Sequence, residues 1–136
     1  MKRCWLVTAA LLVAATPSLA DDVAAANVLL CSSAQATVCS AEEGCETAPP
    51  WTWNIPLFIE IELAKKSMAT TVASGENRAT PIENSERSSG QIFLQGVERG
   101  RAFSFVIDEA TGLATVAVAR DGFTVSVFGA CTPMSR

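Results

Sequence analysis

The chain of 136 residues contains neither histidine nor tyrosine. Without histidine it has no imidazole to act as general base, and no Ser-His-Asp or Cys-His nucleophile arrangement can be assembled. Lysine is scarce too: after Lys2 only Lys65 and Lys66 remain, side by side at a turn signal and not placed as a buried Schiff-base amine. No glycine-rich phosphate loop opens a helix, because Gly96 and Gly100 fall inside a hairpin pattern. The apolar run at residues 5–15 is too short to span a bilayer as a helix. Carboxylates are the remaining candidates for chemistry. Glu60 and Glu62 fall on the polar face of an alternating strand, and Asp108 and Glu109 flank a turn. Like charges in those places stay solvated and ionised. Glu42, Glu43 and Glu46 lack the Asp/Asn spacing of calcium loops. The reading is therefore non-enzymatic, with no catalytic residue, cofactor or metal assigned.

The N-terminus has the form of an export signal. Lys2 and Arg3 precede the apolar run, and Ser18-Leu19-Ala20 places small residues at a peptidase site. Residues 1–20 are expected to be removed, leaving residues 21–136 as a single β domain. Asp21 rather than cysteine follows the cut, so the product is expected to be unanchored, periplasmic or secreted. Without Lys2 and Arg3, 8 basic residues face 14 acidic ones, a net charge of −6. That balance argues against nucleic acid, whose phosphates need basic contacts, and against an anionic membrane surface.

Cys31, Cys39, Cys45 and Cys131 form an even set in an exported chain, which points to two disulfides. Their spacing makes no Cys-x-x-Cys knuckle, and with histidine missing a zinc site is disfavoured. Of three possible connectivities, Cys31 with Cys131 and Cys39 with Cys45 best suits a sheet that closes on itself.

Residues 91–131 read as four antiparallel strands. A three-residue loop Glu98-Arg99-Gly100 would pair Val97 with Arg101 and Phe93 with Phe105, with Gly100 left-handed. The four-residue loop Glu109-Ala110-Thr111-Gly112 pairs Phe105 with Val116 and Phe103 with Val118. A type I′ turn at Asp121-Gly122 pairs Val118 with Val125 and Val116 with Val127. One face then collects Phe93, Phe103, Phe105, Ile107, Ala114, Val116, Val118, Val125 and Val127. The other collects Ala102, Ser104, Thr115, Ala117, Thr124 and Ser126.

Earlier in the chain, residues 27–31 suggest a strand, and residues 35–39 a second strand or a continuation after a kink. Residues 40–50 read as a loop. Trp51-Thr52-Trp53, if extended, aims both indoles one way, either as a ligand platform or as a plug over a barrel end. In residues 55–63, Leu57, Ile59, Ile61 and Leu63 face one way, and a turn at Lys65-Lys66 would pair Ile61 with Thr70. Residues 73–90 are loop-like with a short strand near residues 78–82, and Arg78 and Arg87 supply their cations. The pattern as a whole predicts an all-β fold. Seven to nine short strands would form a small antiparallel up-and-down barrel, or a sandwich, joined by disulfides.

The spacing of Cys31, Cys39 and Cys45 after a signal, together with residues 102–112 and 127–132, resembles small exported bacterial β proteins of uncharacterised function. Ser89-Gly90-Gln91-Ile92-Phe93 has a looser likeness to the Ser-Gly-x-x-Tyr segment of periplasmic C-type lysozyme inhibitors, with phenylalanine where they have tyrosine. The first expectation is an exported binding module for a protein or small molecule, with Trp51, Trp53, Arg78 and Arg87 as candidate ligand contacts. The alternatives are an inhibitor of a cationic hydrolase such as C-type lysozyme, and a structural or assembly component of the envelope. A monomer or weak homo-oligomer is expected.

Overall fold

A computed structural model describes residues 23–75 and 77–135; the expected export signal lies outside them. Ten strands form one curled antiparallel sheet: β1 (Val28–Ser40), β2 (Gly44–Ala48), β3 (Phe58–Glu62), β4 (Ser67–Thr70), β5 (Ala79–Pro81), β6 (Asn84–Ser88), β7 (Gln91–Glu98), β8 (Arg101–Asp108), β9 (Leu113–Arg120) and β10 (Phe123–Pro133). Across the sheet the order is β5-β4-β3-β1-β10-β9-β8-β7-β6, with β2 pairing β1 to one side. The result is a half-barrel rather than a sandwich. Its two edge strands, β5 and β6, are consecutive in the chain, so residues 79–88 border both edges. Ile82 N–H donates to Lys66 O on one side, and Glu83 N–H donates to Gln95 O on the other.

The second and third hairpins have the register that the turns predict: Phe105 pairs with Val116, and Val118 with Val125. Gly122 alone is left-handed in its turn, at φ 67°, so the Asp121-Gly122 pair does not form the type I′ turn expected of it. The first hairpin departs by one residue. Arg99 (φ 48°) and Gly100 (φ 74°) form a two-residue turn with both residues left-handed. Glu98 therefore pairs with Arg101, and Leu94 with Phe105. The shift turns Phe93 to the outer face and buries Ile92 and Leu94 instead. The β3–β4 register moves by two, pairing Ile61 with Met68, so its side chains keep their faces.

β1 is one long strand whose register shifts between Ser33 and Gln35. This bulge bends it where the flanking partner changes from β3 to β2. Gly129 lies opposite; a Cβ there would stand 2.0 Å from Ser32 O. Cys31 and Cys131 face each other across β1 and β10 and are disulfide-bonded, and Cys39–Cys45 fastens the β1–β2 hairpin.

The core is concentrated at one end. Leu29, Ile61, Ile92, Leu94 and Ile107 have no exposure, and Val23 is equally buried beneath them. Burying each such side chain stabilises the fold by roughly 1.5–3 kcal/mol. The segment carrying Val23 is clasped from outside. Val23 N–H donates to Glu109 O, and Arg87 donates to the carbonyls of Ala24 (2.6 Å) and Ala26 (2.8 Å) while ion-pairing with Glu109.

Candidate functional site at the open end

At the opposite end the inward rows are not packed shut. β8 and β9 carry their inward alternation upward through Phe105 and Phe103, and through Val116 and Val118; β10 adds Val127, Val125 and Phe123. Val116, Val118, Phe123 and Val125 are only half-buried although they point inward. They line a cavity of about 310 Å³, at the small end of the roughly 300–1,000 Å³ range of ligand pockets. Phe103 and Phe105 meet edge to face with ring centroids 6.0 Å apart. Phe103 fits because its neighbour across the ladder is Gly96, where a Cβ would stand 2.5 Å from the ring.

One side wall comes from residues 53–56. Pro50–Trp53 is a 3-10 turn ending on a left-handed Asn54 (φ 54°), and Ser33 Oγ donates to Pro56 O at 2.9 Å. The turn corrects the expectation of extended indoles sharing a face. Trp53 is half-buried and lines the cavity, whereas Trp51 is 63 % exposed. Proline in the first helical turn was the sequence signal for this conformation.

The mouth is charged. Alternation carries each inward row to its end: Thr80 to Arg78, Gly96 to Glu98, Phe103 to Arg101, Val118 to Arg120. All four ionisable residues border the cavity. Glu98 Oε1 accepts from Thr80 Oγ1 at 2.7 Å and from Arg78 Nε at 3.0 Å, tying β7 to the chain that enters β5. The Arg120 guanidinium lies 5.0 Å from the centroid of the Phe123 ring. Among the described residues Arg101 and Arg120 have no carboxylate partner.

The structure thus brings together Trp53 and Arg78 of the sequence-predicted contacts. It leaves Trp51 outside and places Arg87 at the far end, occupied with the N-terminal segment. Thr80, Glu98, Arg101 and Arg120 were missed, although Arg101 and Arg120 have the same parity as the inward Phe103 and Val118. Other carboxylates lie elsewhere. Glu62 pairs with Lys65 at 2.7 Å on the outer face of β3. Asp108 accepts from the Thr111 hydroxyl and the Thr111 N–H in the far turn, bonds that hold its carboxyl below the usual carboxylate range.

The fold and site define a disulfide-bonded antiparallel half-barrel with a packed floor and an apolar, arginine-rimmed mouth. No protein-family model, curated protein or solved structure matches the chain. Two disulfides fit an oxidising compartment, and no helix among the described residues is long and apolar enough to cross a membrane.

Proposed function

We propose that this protein is an exported, non-enzymatic binding module that takes a small ligand into the open end of the half-barrel. The observation that carries this reading is the cavity of about 310 Å³, in which inward-facing Val116, Val118, Phe123 and Val125 remain partly accessible above a floor of fully buried side chains. A filled barrel would bury those rows along their whole length. Apolar walls with a few convergent polar groups are what a small-molecule site needs.

The test is capture of small molecules. The immobilised protein is exposed to periplasmic and culture extracts, and bound compounds are eluted and identified by mass spectrometry. Val118→Trp, which fills the cavity, is the control. A compound enriched by the natural chain and not by Val118→Trp supports the reading; equal recovery from both overturns it.

A second reading, inhibition of a cationic hydrolase such as C-type lysozyme, draws support from the net charge of −6 over residues 21–136. The exposed Ser89-Gly90 turn also favours it, since both residues are left-handed there (φ 54° and 75°) and outward-facing Phe93 lies nearby. Residual lysozyme activity at molar excess of the protein tests it, and undiminished activity ends it.

A further inference from the structure

We infer that the ligand is a single-chain amphiphilic anion, its apolar part against Phe103, Phe105, Val116 and Val125 and its carboxylate or phosphate at Arg101 and Arg120. The inference rests on the cavity being the binding site and adds the chemical class of what enters it.

Charge at the mouth carries the argument. The ionisable lining residues are three arginines and one glutamate, a local balance of +2, in a chain whose net charge is −4. Glu98 is engaged with Arg78 and Thr80. The surplus positive charge therefore resides on Arg101 and Arg120, which occupy the ends of two neighbouring inward rows, since β8 pairs β9 in register. Arg101 is half-buried at the rim and Arg120 is exposed there, so both guanidinium groups are within reach of an entering head group. Their forked donors match the paired oxygens of a carboxylate or phosphate. Stacking on Phe123 holds the Arg120 guanidinium over the mouth before any ligand arrives. Beneath the arginines β8, β9 and β10 present hydrocarbon and aromatic surface, and the uncharged polar residues of the lining, Ser33, Asn54, Thr70 and Thr80, come from other strands and the side wall. A free inorganic anion would leave that surface wet, and a neutral hydrocarbon would leave the arginines unanswered. A molecule with both parts satisfies both.

The experiment is calorimetric titration of the full exported chain with decanoate, decyl phosphate, decanol and decyltrimethylammonium, all below their micelle concentrations. The two anions are expected to bind about tenfold or more tightly than the alcohol, with the cation weakest. Comparing decanoate with decyl phosphate shows whether the head is that of a free acid or a phosphate ester. Arg101→Gln and Arg120→Gln should each cost the anions about tenfold and leave decanol unchanged, while Arg120→Lys recovers part of the loss. Val118→Trp should abolish binding of all four. Unchanged far-ultraviolet dichroism certifies that each variant is folded. If decanol binds as tightly as the anions and Val118→Trp removes both, the cavity is a binding site but the anionic preference is overturned. If anion binding survives Val118→Trp, it occurs elsewhere and this inference fails. If no probe binds, the inference and the proposed site fall together.

Discussion

The two disulfides differ in what each does for stability, and the difference can be worked out from where they lie in the chain. A cross-link stabilises chiefly by restricting the unfolded state, and the effect grows with the logarithm of the loop it closes. Cys31 and Cys131 are separated by 100 residues and Cys39 and Cys45 by 6. Loop-closure entropy then assigns about 4.7 kcal/mol to the long bridge and about 2.2 kcal/mol to the short one. Burial widens the gap. Cys31 and Cys131 are 7 % and 6 % exposed inside the core, so truncation to alanine also removes packing there, whereas Cys45 is exposed. With a urea slope of roughly 2 kcal/mol per molar, Cys31→Ala with Cys131→Ala should lower the unfolding midpoint by about 2.4 M. Cys39→Ala with Cys45→Ala should lower it by about 1.1 M. Native stabilities of roughly 5–15 kcal/mol make the first variant marginal, so both are compared in a constant background of sucrose, which favours the compact state. The slope itself should rise for the long-bridge variant alone, because its unfolded chain expands further. Midpoints that agree within error, or a larger loss from the short bridge, would refute the reasoning.

Arg99→Gly tests the first hairpin. In the two-residue turn Arg99 is left-handed at φ 48°, so glycine there should raise stability by about 0.5–1 kcal/mol in urea unfolding; in a three-residue loop with only Gly100 left-handed it would gain nothing. Gly96→Ala sets a methyl 2.5 Å from the Phe103 ring, and should cost roughly 1–3 kcal/mol while pushing the ring into the cavity, read as weaker decanoate binding. Asp108 has its carboxyl lowered by the Thr111 hydroxyl and then by the Thr111 N–H. A folded pKa below the unfolded one means the contribution is present above the unfolded value and is lost as pH falls through the folded one. The melting temperature of the natural chain should therefore exceed that of Asp108→Asn near neutrality, and the two should converge in acid; a gap that stays constant down to strong acid contradicts this.

Legibility in the sequence followed the clarity of the two-residue period. β8, β9 and β10 have apolar residues on one parity and, apart from Val106, Leu113 and Phe128, small or polar ones on the other, and their turns end on Gly112 and Gly122. Turn and pattern agreed, and pairing was readable there. β7 is apolar on both faces: Ile92 and Leu94 occupy one parity, Phe93 and Val97 the other. Only the Arg99 conformation decides between them, and left-handed arginine is not a position that propensity favours. β2 and β6 carry Gly44-Cys45-Glu46-Thr47-Ala48 and Asn84-Ser85-Glu86-Arg87-Ser88, mostly exposed. No apolar alternation marks them, and they are strands because β1 and β7 present them with ladders. At the mouth, Arg101 and Arg120 flank turns, and no motif singles them out as site residues. Continuing the inward parity by one more step would have placed them over the cavity.

That extra step bears on whether the open end is encoded or merely loosely packed. Four inward rows end on Arg78, Glu98, Arg101 and Arg120, and burying an ion in a filled interior costs several kcal/mol even after relaxation. A sequence that places ionisable groups there commits that end to water or to a ligand. If the arginines were structural, removing them would destabilise the fold; if they are kept for binding, removing them should not. Replacing both Arg101 and Arg120 with leucine separates the cases. The loss of stacking on Phe123 is worth about 0.5–1 kcal/mol at an exposed site, and new apolar contact over half-buried Val118 offsets it. Urea stability should therefore stay within about 1 kcal/mol of the natural chain or exceed it, while affinity for decanoate falls by about a hundredfold, two charge-assisted contacts being lost. A stability loss above about 2 kcal/mol with binding intact would assign the two arginines to holding the barrel end together, and the mouth would need another explanation.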